Sequence, residues 1–489
     1  MLLGQDLLLR RGDDADPARP LSAEEATRLA TMRQHNWQDA RAGVRATIGT
    51  GAEQVHLAGW VDWRRPMVYL ARSGPTPGEI AELIQAVPGL IAVRPGEPAP
   101  AEPTPEPEPT GSPGAGTDPS AGPELIDPYP KPPATPPADG WRLRQPGADG
   151  APGAPAAAGT IDALAVLLLT IAAEEPDAAE LLAETESQWL REDRTAGYEV
   201  DVLLGPAILP GAPLPGPPAP GSQPPETLAA LGGAVQYWLD RDARLHRLDA
   251  LLATDTPVRV DLDRADQTTP AVLDLLGGAA IDPAPVTDQQ AEQLAQLRQR
   301  NRGAGGGEVR ITVPTEQGDD TITATGYLDW QRTVAYLVVH RPNGSSLVWA
   351  DGSGVSTRSA GSLDDLTEPP LPAPTDGWSR TPWEGRGDDQ GGYDLDLLLN
   401  EALSLSGWEL DDADHLRQTA HRLRGDRLDG VAVSVYEIPR PIESEVEPGG
   451  ARMRYWVDDE SGVLRRLEIR TRSGGFGQLD LSPGQVPWL

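Results

Sequence analysis

The sequence HLAGWVDWRRPMVYLAR, residues 56–72, recurs as TATGYLDWQRTVAYLVV at residues 323–339, and this repeat is the main evidence for the fold. In both stretches apolar residues occupy alternate positions before the shared Asp-Trp pair, which is the period of a strand with one buried side. A short polar turn then leads into a second apolar strand, so each stretch predicts a hairpin of an antiparallel sheet. The side chains that we assign to the apolar face of this sheet are Val55, Leu57, Val61, Ile322, Ala324 and Leu328.

An amphipathic helix is predicted upstream of each hairpin. LSAEEATRLATMRQHNW at residues 21–37 superimposes on VTDQQAEQLAQLRQRNR at residues 286–302, and the shared apolar positions recur at helical spacing. Ser22 and Thr287 stand where N-caps belong, and Glu25 completes a capping box with Ser22. Each copy of the repeat therefore begins with a helix.

Further motifs follow downstream in the same order in both halves. They are Asp-Gly-Trp at 139–141 and 376–378, LREDRTAGYEVDVLLGP at 190–206 against LRGDRLDGVAVSVYEIP at 423–439, and Tyr-Trp at 237–238 and 455–456. After the last motif the alignment shifts by one residue, which indicates a turn tip, because turns accept insertions that strands resist. The shared order predicts a tandem duplication of an α+β domain with a mostly antiparallel sheet.

A second helical region is predicted in each copy, between Asp-Gly-Trp and the next strand. The expected helix face is formed by Ala178, Leu182, Thr185 and Trp189 in the first copy and by Leu416, Ala420 and Leu423 in the second.

The shared blocks set the predicted domain boundaries. We expect an N-terminal tail over 1–20, a first domain over 21–264, a connector over 265–285 and a second domain over 286–489. Within the first domain, residues 95–138 and 208–227 are rich in Pro, Ala and Gly and carry few large apolar side chains, so we expect disordered loops there. The connector contains TTPAVLDLLGGAA, a candidate short helix.

Charge and cysteine content exclude several classes of function. Lys and Arg number 41 against 74 Asp and Glu, so the net charge is −33, which disfavours nucleic acid and anionic membrane surfaces as partners. Because the chain has no cysteine, disulfides, thiolate metal sites and thiol nucleophiles are excluded.

Location is left open by the sequence. The start MLLGQDLLLRRGDD has neither the features of a signal peptide nor a lipobox cysteine, so we expect either a cytoplasmic protein or a start site assigned too far downstream. The most apolar run, Ile161–Ala173, is interrupted by Asp162 and is too short to span a bilayer, so no transmembrane segment is expected.

The ordered motifs resemble those of actinobacterial lipoproteins of the LppX/LprG type, which share the fold of the lipoprotein carriers LolA and LolB. The resemblance rests on the helix, the GxxDW hairpin, the DGW motif, the second helix, the DG-strand block and the YWxD hairpin. It implies two tandem LolA/LppX-like domains, each a curved antiparallel half-barrel covered by helices with an apolar cavity between sheet and helices. It further implies a non-enzymatic protein of the cell envelope that binds or carries a lipid or acyl chain. The six apolar-face residues would then line the cavity.

A filled core is the alternative, since protein interiors are usually close-packed. The chain would then be a structural scaffold whose acidic surface and Pro-rich loop contact other proteins. The recurring pairs Asp62/Asp329 and Asp193/Asp426 are candidate catalytic carboxylates, but both adjoin predicted turns, where Asp caps backbone amides. The six histidines are unclustered and no catalytic, phosphate-binding or metal motif is found. The sequence therefore predicts no catalytic residue, no metal site and no cofactor.

Overall fold

The fold is described from a computed structural model of the chain. The structure describes residues 17–51, 54–76, 78–96, 128–146, 156–184, 187–206, 234–252, 256–315, 320–342, 344–359, 366–383, 394–439 and 446–489. The chain divides into two compact units, of which the first is residues 1–140 with 145–272 and the second is residues 141–144 with 273–489.

The first sheet has twelve strands, and neighbouring strands run antiparallel in the order β1-β8-β9-β10-β11-β12-β2-β3-β4-β5-β6-β7. The strands are β1 Arg19–Pro20, β2 Arg41–Ile48, β3 Val55–Asp62, β4 Met67–Ser73, β5 Ile80–Val87, β6 Leu90–Pro95, β7 Arg142–Arg144, β8 Gln188–Thr195, β9 Tyr198–Pro206, β10 Ala234–Leu239, β11 Leu245–Leu252 and β12 Thr256–Asp263.

The second sheet repeats this topology with twelve antiparallel strands in the order β13-β20-β21-β22-β23-β24-β14-β15-β16-β17-β18-β19. The strands are β13 Ala284–Pro285, β14 Gly306–Pro314, β15 Thr321–Asp329, β16 Val334–Arg341, β17 Gly344–Asp351, β18 Gly354–Ser359, β19 Ser379–Pro382, β20 His421–Leu428, β21 Val431–Glu437, β22 Met453–Asp458, β23 Leu464–Arg470 and β24 Phe476–Pro483.

Helices lie on one side of each sheet. They are α1 Ala23–Asp39, α2 Ala156–Thr170, α3 Ala179–Glu184, α4 Asp288–Ala295, α5 Leu297–Ala304, α6 Asp394–Ser404 and α7 Ala413–Thr419. In the part of the chain that the structure describes, none of them combines the length and the apolar character needed to cross a membrane.

The predicted caps of the first helix in each copy are confirmed. Ser22 caps α1 and forms the capping box with Glu25. Thr287 caps α4 in the same way with Gln290, so the second copy has the full capping box too. These side chains satisfy backbone amides that the first turn of a helix leaves without partners.

The predicted hairpins are confirmed as β3–β4 and β15–β16. The glycine of the GxxDW motif is required there by close packing of the two backbones. A Cβ at Gly59 would lie 1.9 Å from the carbonyl oxygen of Tyr69, and a Cβ at Gly326 would lie 2.2 Å from that of Tyr336. Only glycine leaves room for this approach, so the motif is structural.

One side of each sheet packs with its helices into a single apolar core. In the first unit this helix side carries Val44, Leu57 and Leu248 from the strands, and in the second unit it carries Ile311 and Leu467. The opposite side, here called the outer side, carries the residues that alternate with these, most of which are polar or aromatic.

The predicted second helical region is partly wrong. Helix α3 ends at Glu184 and Trp189 lies in strand β8, while α7 ends at Thr419 and Leu423 lies in strand β20. The helical spacing of apolar residues continues by coincidence into the following strand. Over so few residues, this spacing does not show where the helix ends and the strand begins. Thr185 lies outside the described residues.

Several other predictions fall in the connector and the loops. The candidate connector helix is a single 3₁₀ turn, Asp274–Leu276, ended by Gly277 in the left-handed region with φ of 98°. Residues 1–16, 97–127 and 208–227 lie outside the described residues. The structure therefore describes only the edges of the predicted tail and of the predicted loop 95–138, and nothing of the predicted loop 208–227. Residues 128–138 have neither helix nor strand.

Candidate functional site

The six predicted apolar-face residues all lie in the two cores, on the helix side of the sheets. Leu57 and Val61 belong to the first core and Ala324 and Leu328 to the second, and each is at most 1% exposed. Val55 and Ile322, near the starts of their strands, are half-buried and pack against the same cores.

Helix α2 covers the sheet face in the first unit and is held at its C-terminal end. The indole Nε1 of Trp63, the amide Nδ2 of Asn36 and the guanidinium Nε of Arg33 donate to main-chain carbonyls there at 2.9, 2.5 and 2.8 Å. These carbonyls are ones that a helix end leaves without intrahelical partners, and a cation beside them also complements the helix dipole. The acceptors are Leu168, Ile171 and Thr170, respectively.

Helix α6 is held in the same way in the second unit. Trp330 donates to the carbonyl of Ala402 at 2.9 Å, and Asn301 donates to that of Leu405 at 3.2 Å. Donors and acceptors stand at matching places of the two copies, so the duplication kept the attachment of the covering helix. We call α2 and α6 the cover helices.

A buried polar cluster surrounds the attached end of α2. Arg33 and Asp177 form an ion pair at 2.8 Å, with both side chains under 5% exposed. Burial raises the pKa of Asp177, and Arg33 opposes this only in part. Arg264 donates to Asn36 at 2.6 Å, and burial lowers the pKa of Arg264 to about 10. This cluster fixes the side chains that hold the cover helix.

The outer side of the first sheet carries a tryptophan between two arginines. The guanidinium groups of Arg191 and Arg247 lie 5.6 and 5.8 Å from the ring of Trp238, within cation–π range. Trp238 Nε1 donates to Asp193 at 2.9 Å. Burial raises the pKa of Asp193, but this hydrogen bond, the amide of Arg194 and the two nearby arginines outweigh it and hold the pKa low.

The outer side of the second sheet carries the matching cluster. Arg424 and Arg466 lie 5.0 and 4.7 Å from the ring of Trp456. Arg466 Nε donates to Asp480 at 2.5 Å, as Arg247 Nε donates to Asp261 at 2.6 Å in the first unit. We call each set an Arg–Trp–Arg cluster.

Glu468 is buried beside the second cluster, with 1% of its side chain exposed. Its carboxylate lies 4.0 Å from Arg454 and 3.8 Å from Arg466. Burial raises the pKa of Glu468 to about 7 although two cations are close, and burial also lowers the pKa of Arg454 to about 10.

Among the described residues, a cleft lies on the outer side of each sheet. In the first unit a cleft of about 590 Å³ lies beside the Arg–Trp–Arg cluster, and most of the residues that line it are polar. Its walls include Thr47, His56, Tyr129, Arg247, Asp249 and Arg259. In the second unit a cleft of about 340 Å³ has aromatic walls that include Trp349 and Trp378. The six predicted apolar-face residues line neither cleft.

The candidate carboxylates have structural partners. Asp62 accepts from the amide of Arg65 at 2.9 Å, and Asp329 accepts from the amide of Arg332 at 2.9 Å, so both cap turns as their sequence context predicts. Asp193 lies within a strand and serves as the acceptor for Trp238.

Asp426 also lies within a strand, where it accepts from the Nε of Arg424 at 2.9 Å. Asp193 and Asp426 each also accept from the backbone amide of the next residue, Arg194 and Arg427, at 2.7 and 2.8 Å, so both bind backbone amides as predicted although they lie in strands. Among the described residues, no three His, Asp or Glu side chains are placed to hold a metal ion.

Sequence reasoning missed the cover helices and the Arg–Trp–Arg clusters. The signal for α2 was present, because the run from Ile161 to Leu168 is apolar around nearly the whole helix, which is typical of a buried helix. The clusters were also detectable, since their arginines and tryptophans stand at aligned positions of both copies and alternate with core residues.

No protein-family profile matches the sequence, and no curated protein matches it. Among solved structures, the chain is similar to lipoprotein LppX of Mycobacterium tuberculosis, with 14% identity and a TM-score of 0.26 over 42% of this chain and 100% of that one. It is also similar to a putative outer membrane lipoprotein-sorting protein domain from Vibrio parahaemolyticus, with 12% identity and a TM-score of 0.22 over 40% and 92% of the chains. A DUF1329 protein from Desulfovibrio piger has 13% identity and a TM-score of 0.21 over 40% and 91%. The resemblance to LppX and LolA-like proteins that the sequence predicts is confirmed.

Proposed function

We propose that this chain is a non-catalytic binding protein of the cell envelope, built from two tandem LolA/LppX-like half-barrels that hold an acyl chain or lipid between sheet and helices. One observation carries the proposal: cover helix α2 is apolar on nearly every described side and lies against an aliphatic sheet face. The protein would act as a carrier, and its cover helices would admit the ligand.

An acyl chain would occupy the apolar sheet face that this helix covers. Leu164, Leu167 and Leu168 are fully buried, so the sheet face that they cover is an apolar surface suited to another apolar group. Small side chains, such as Ala46 on the sheet and Ala163 on the helix, also belong to this core. Each methylene that an acyl chain buries contributes about 0.8 kcal/mol, so a long chain compensates for displacing part of a helix.

The attachment of α2 defines how it would open. Three side-chain donors, Arg33, Asn36 and Trp63, hold its C-terminal end. Weakening one of them makes the covered face accessible more often, and a ligand that enters through this opening binds faster. The same holds for Trp330 and α6 in the second unit.

The test uses the full chain and a fluorescent fatty acid, together with native mass spectrometry of the purified protein before and after organic extraction. Trp63→Phe removes the bond to Leu168 and should accelerate fatty-acid entry about fivefold or more, since a net hydrogen bond contributes about 1 kcal/mol. Trp60→Phe is the matched control. Trp60 lies on the outer side of strand β3, which ends just before Trp63, and donates to Asp266 at 3.0 Å, so its loss should leave entry unchanged.

Absence of co-purified lipid together with absence of saturable fatty-acid binding, in both the wild type and Trp63→Phe, would contradict the proposal. If Trp63→Phe and Trp60→Phe accelerate fatty-acid entry equally, this would contradict entry of the ligand beneath α2. Trp330→Phe repeats the measurement for the second unit, so the two units are tested separately.

A scaffold with filled cores is the second candidate, and the close burial of Leu57, Val61, Ala324 and Leu328 favours it. The acidic surface and the Pro-rich loop would then contact other proteins. Ala46→Leu distinguishes the two candidates. In a filled core it costs about 1–3 kcal/mol of stability, whereas in a core that exchanges ligand it lowers fatty-acid affinity with little loss of stability.

A further inference from the structure

The outer side of the second sheet is covered by a segment of the connector. Residues 273–282 cross this side next to the Arg–Trp–Arg cluster. The carboxylate of Asp274 accepts from Arg466 Nη1 at 2.7 Å, and the main-chain carbonyl of Gly277 accepts from Arg454 Nη1 at 3.1 Å. The arginines of this side therefore recognise a peptide through one carboxylate and its main chain.

The same segment continues to the edge of the sheet. The carbonyl of Ala279 accepts from Arg424 Nη1 at 3.0 Å, and the amide of Asp282 donates to the carbonyl of Leu423 at 2.7 Å. Strand β13 then pairs with β20 and helix α4 follows. The segment thus crosses the outer side of the second sheet from strand β23 to strand β20. On this path it contacts three arginines, each through one hydrogen bond.

The first unit keeps two of these three arginines. Arg191 and Arg247 stand at the positions of Arg424 and Arg466, with Trp238 at that of Trp456, whereas Gln236 stands at the position of Arg454. Both clusters bind an aspartate on the neighbouring strand through an arginine Nε. Where the second unit has residues 273–282, the described part of the first unit has the cleft of about 590 Å³. Among described residues, no counterpart of Asp274 contacts Arg247.

The chain contains a second copy of the covering sequence. Asp6-Leu7-Leu8 precedes Asp16-Pro17, as Asp274-Leu275-Leu276 precedes Asp282-Pro283. After each comes a two-residue strand and then a helix with a capping box. The strands Arg19–Pro20 and Ala284–Pro285 pair with β8 and β20 in the same register.

The length of chain suffices for the same path. From Asp274 to Ala284 there are 10 residues and from Asp6 to Arg19 there are 13, so the first copy has three residues more for the same crossing. Since an extended chain spans about 3.3 Å per residue, Asp6 can reach any point that Asp274 reaches in its own unit.

We propose that the segment Asp6–Leu8 binds in the cleft of the first unit, with the carboxylate of Asp6 on Arg247 as that of Asp274 is on Arg466. The occupant is this chain's own N-terminal segment, and the cleft recognises it by its carboxylate and main chain. The cleft is thus a docking site for an Asp-Leu-Leu peptide, separate from the apolar core on the helix side.

Thiol cross-linking of the full chain tests this, because the chain has no cysteine of its own. Gln5→Cys, which leaves Asp6 intact, is combined with Arg259→Cys, which lies at the cleft and is half exposed. A short bismaleimide should join this pair within one chain at least about tenfold faster than Gln5→Cys with Gln38→Cys, since docking raises the effective concentration. Leu273→Cys with Gln478→Cys, the matching positions of the second unit, leaves Asp274 intact and gives the rate for a docked segment.

Equal rates for the Arg259 and Gln38 pairs overturn the proposal. Cross-links that join two chains overturn it as well, because the occupant would then be a second copy. A second measurement, hydrogen–deuterium exchange, leaves the residues of the cleft unchanged, so its result does not depend on whether a cleft variant folds. Asp6→Asn should speed hydrogen–deuterium exchange over residues 5–9 about tenfold, while Asp13→Asn leaves it unchanged. Equal exchange in the two variants contradicts the docking of Asp6.

Discussion

Replacement of Glu468 by glutamine should change how the stability of the second unit depends on pH. Glu468 is buried between Arg454 and Arg466, and the nearest guanidinium nitrogens are 4.0 and 3.8 Å away. Asp274 and Asp480 compete for the charge of Arg466, with contacts of 2.7 and 2.5 Å. The two cations therefore do not fully compensate the cost of burying an ionised Glu468.

The magnitude follows from the pKa. Burial raises the pKa of Glu468 from 4.5 to about 7 in the folded chain, so the folded state holds a proton that the unfolded state releases between these values. The stabilisation that this proton provides is complete below pH 4.5 and is lost as pH rises through 7. A difference of this size corresponds to about 3 kcal/mol of unfolding free energy. Glu468→Gln lacks the titrating group and lacks this loss.

The assay is urea unfolding of the full chain at several pH values between 4.5 and 8, followed by hydrogen–deuterium exchange over residues 453–470, which reports the second unit by itself. The unfolding free energy of the wild type, relative to Glu468→Gln, should fall by about 3 kcal/mol across this window. Asp249→Asn, at the matching position of the first unit, is the control. Its partner Arg259 is half exposed, so it should change stability by less than about 1 kcal/mol. A constant difference between wild type and Glu468→Gln would show that the folded chain holds no extra proton on Glu468.

Three further substitutions test the framework by urea unfolding. Asn36→Ala leaves the buried carbonyl of Ile171 without this donor and the buried guanidinium of Arg264 with one partner fewer, and should cost about 2–4 kcal/mol. Glu25→Gln should cost about 1–2 kcal/mol at pH 7, because the hydrogen bond from half-exposed Arg19 lowers the pKa of Glu25 to about 2; this stabilisation is present above pH 4.5 and is lost as pH falls towards 2. Gly59→Ala should cost about 3 kcal/mol or more, since its Cβ would meet the carbonyl of Tyr69.

Matched controls exist for all three. Gln38→Ala and Glu24→Gln change exposed positions of the same helix and should each lie within about 0.5 kcal/mol of wild type. Gly303→Ala introduces a Cβ in helix α5 that meets nothing within 4 Å, so it should be neutral or stabilise by up to about 1 kcal/mol. A substitution that costs no more than its control would show that the contact in question contributes nothing.

The hairpins and the first helix of each copy were predictable because local patterns determine them. Alternating apolar residues placed Leu57 and Ala324 on a sheet face, and Ser22 with Glu25 marked a helix start within four residues. The alignment of the two copies also located the turn between strands β22 and β23. Such features depend on residues close in sequence, whose physical preferences are direct.

The attachment of the cover helices was not predictable in this way. Trp63 and Leu168 are 105 residues apart, and Asn301 and Leu405 are 104 apart, so no local pattern announces these contacts. The end of helix α3 was misplaced for a different reason. Trp189 continues the apolar spacing of the helix, but it pairs with Leu203 in the sheet, and tertiary pairing overrides so short a period.

The contacts shared by the two copies separate what the duplication preserved from what it changed. Both copies keep the indole and the amide that hold the cover helix, and both keep the Arg–Trp–Arg cluster on the outer side. They differ in what lies on that cluster, since Asp274 binds Arg466 in the second unit while a cleft adjoins Arg247 in the first. A surface that only packed the sheet would need neither guanidinium, because apolar side chains pack at less desolvation cost. In the first unit Arg247 binds Asp261 through its Nε, as Arg466 binds Asp480, so its Nη nitrogens would bind the second carboxylate, which Asp274 provides in the second unit. Asp6 is the residue that the repeat aligns with Asp274.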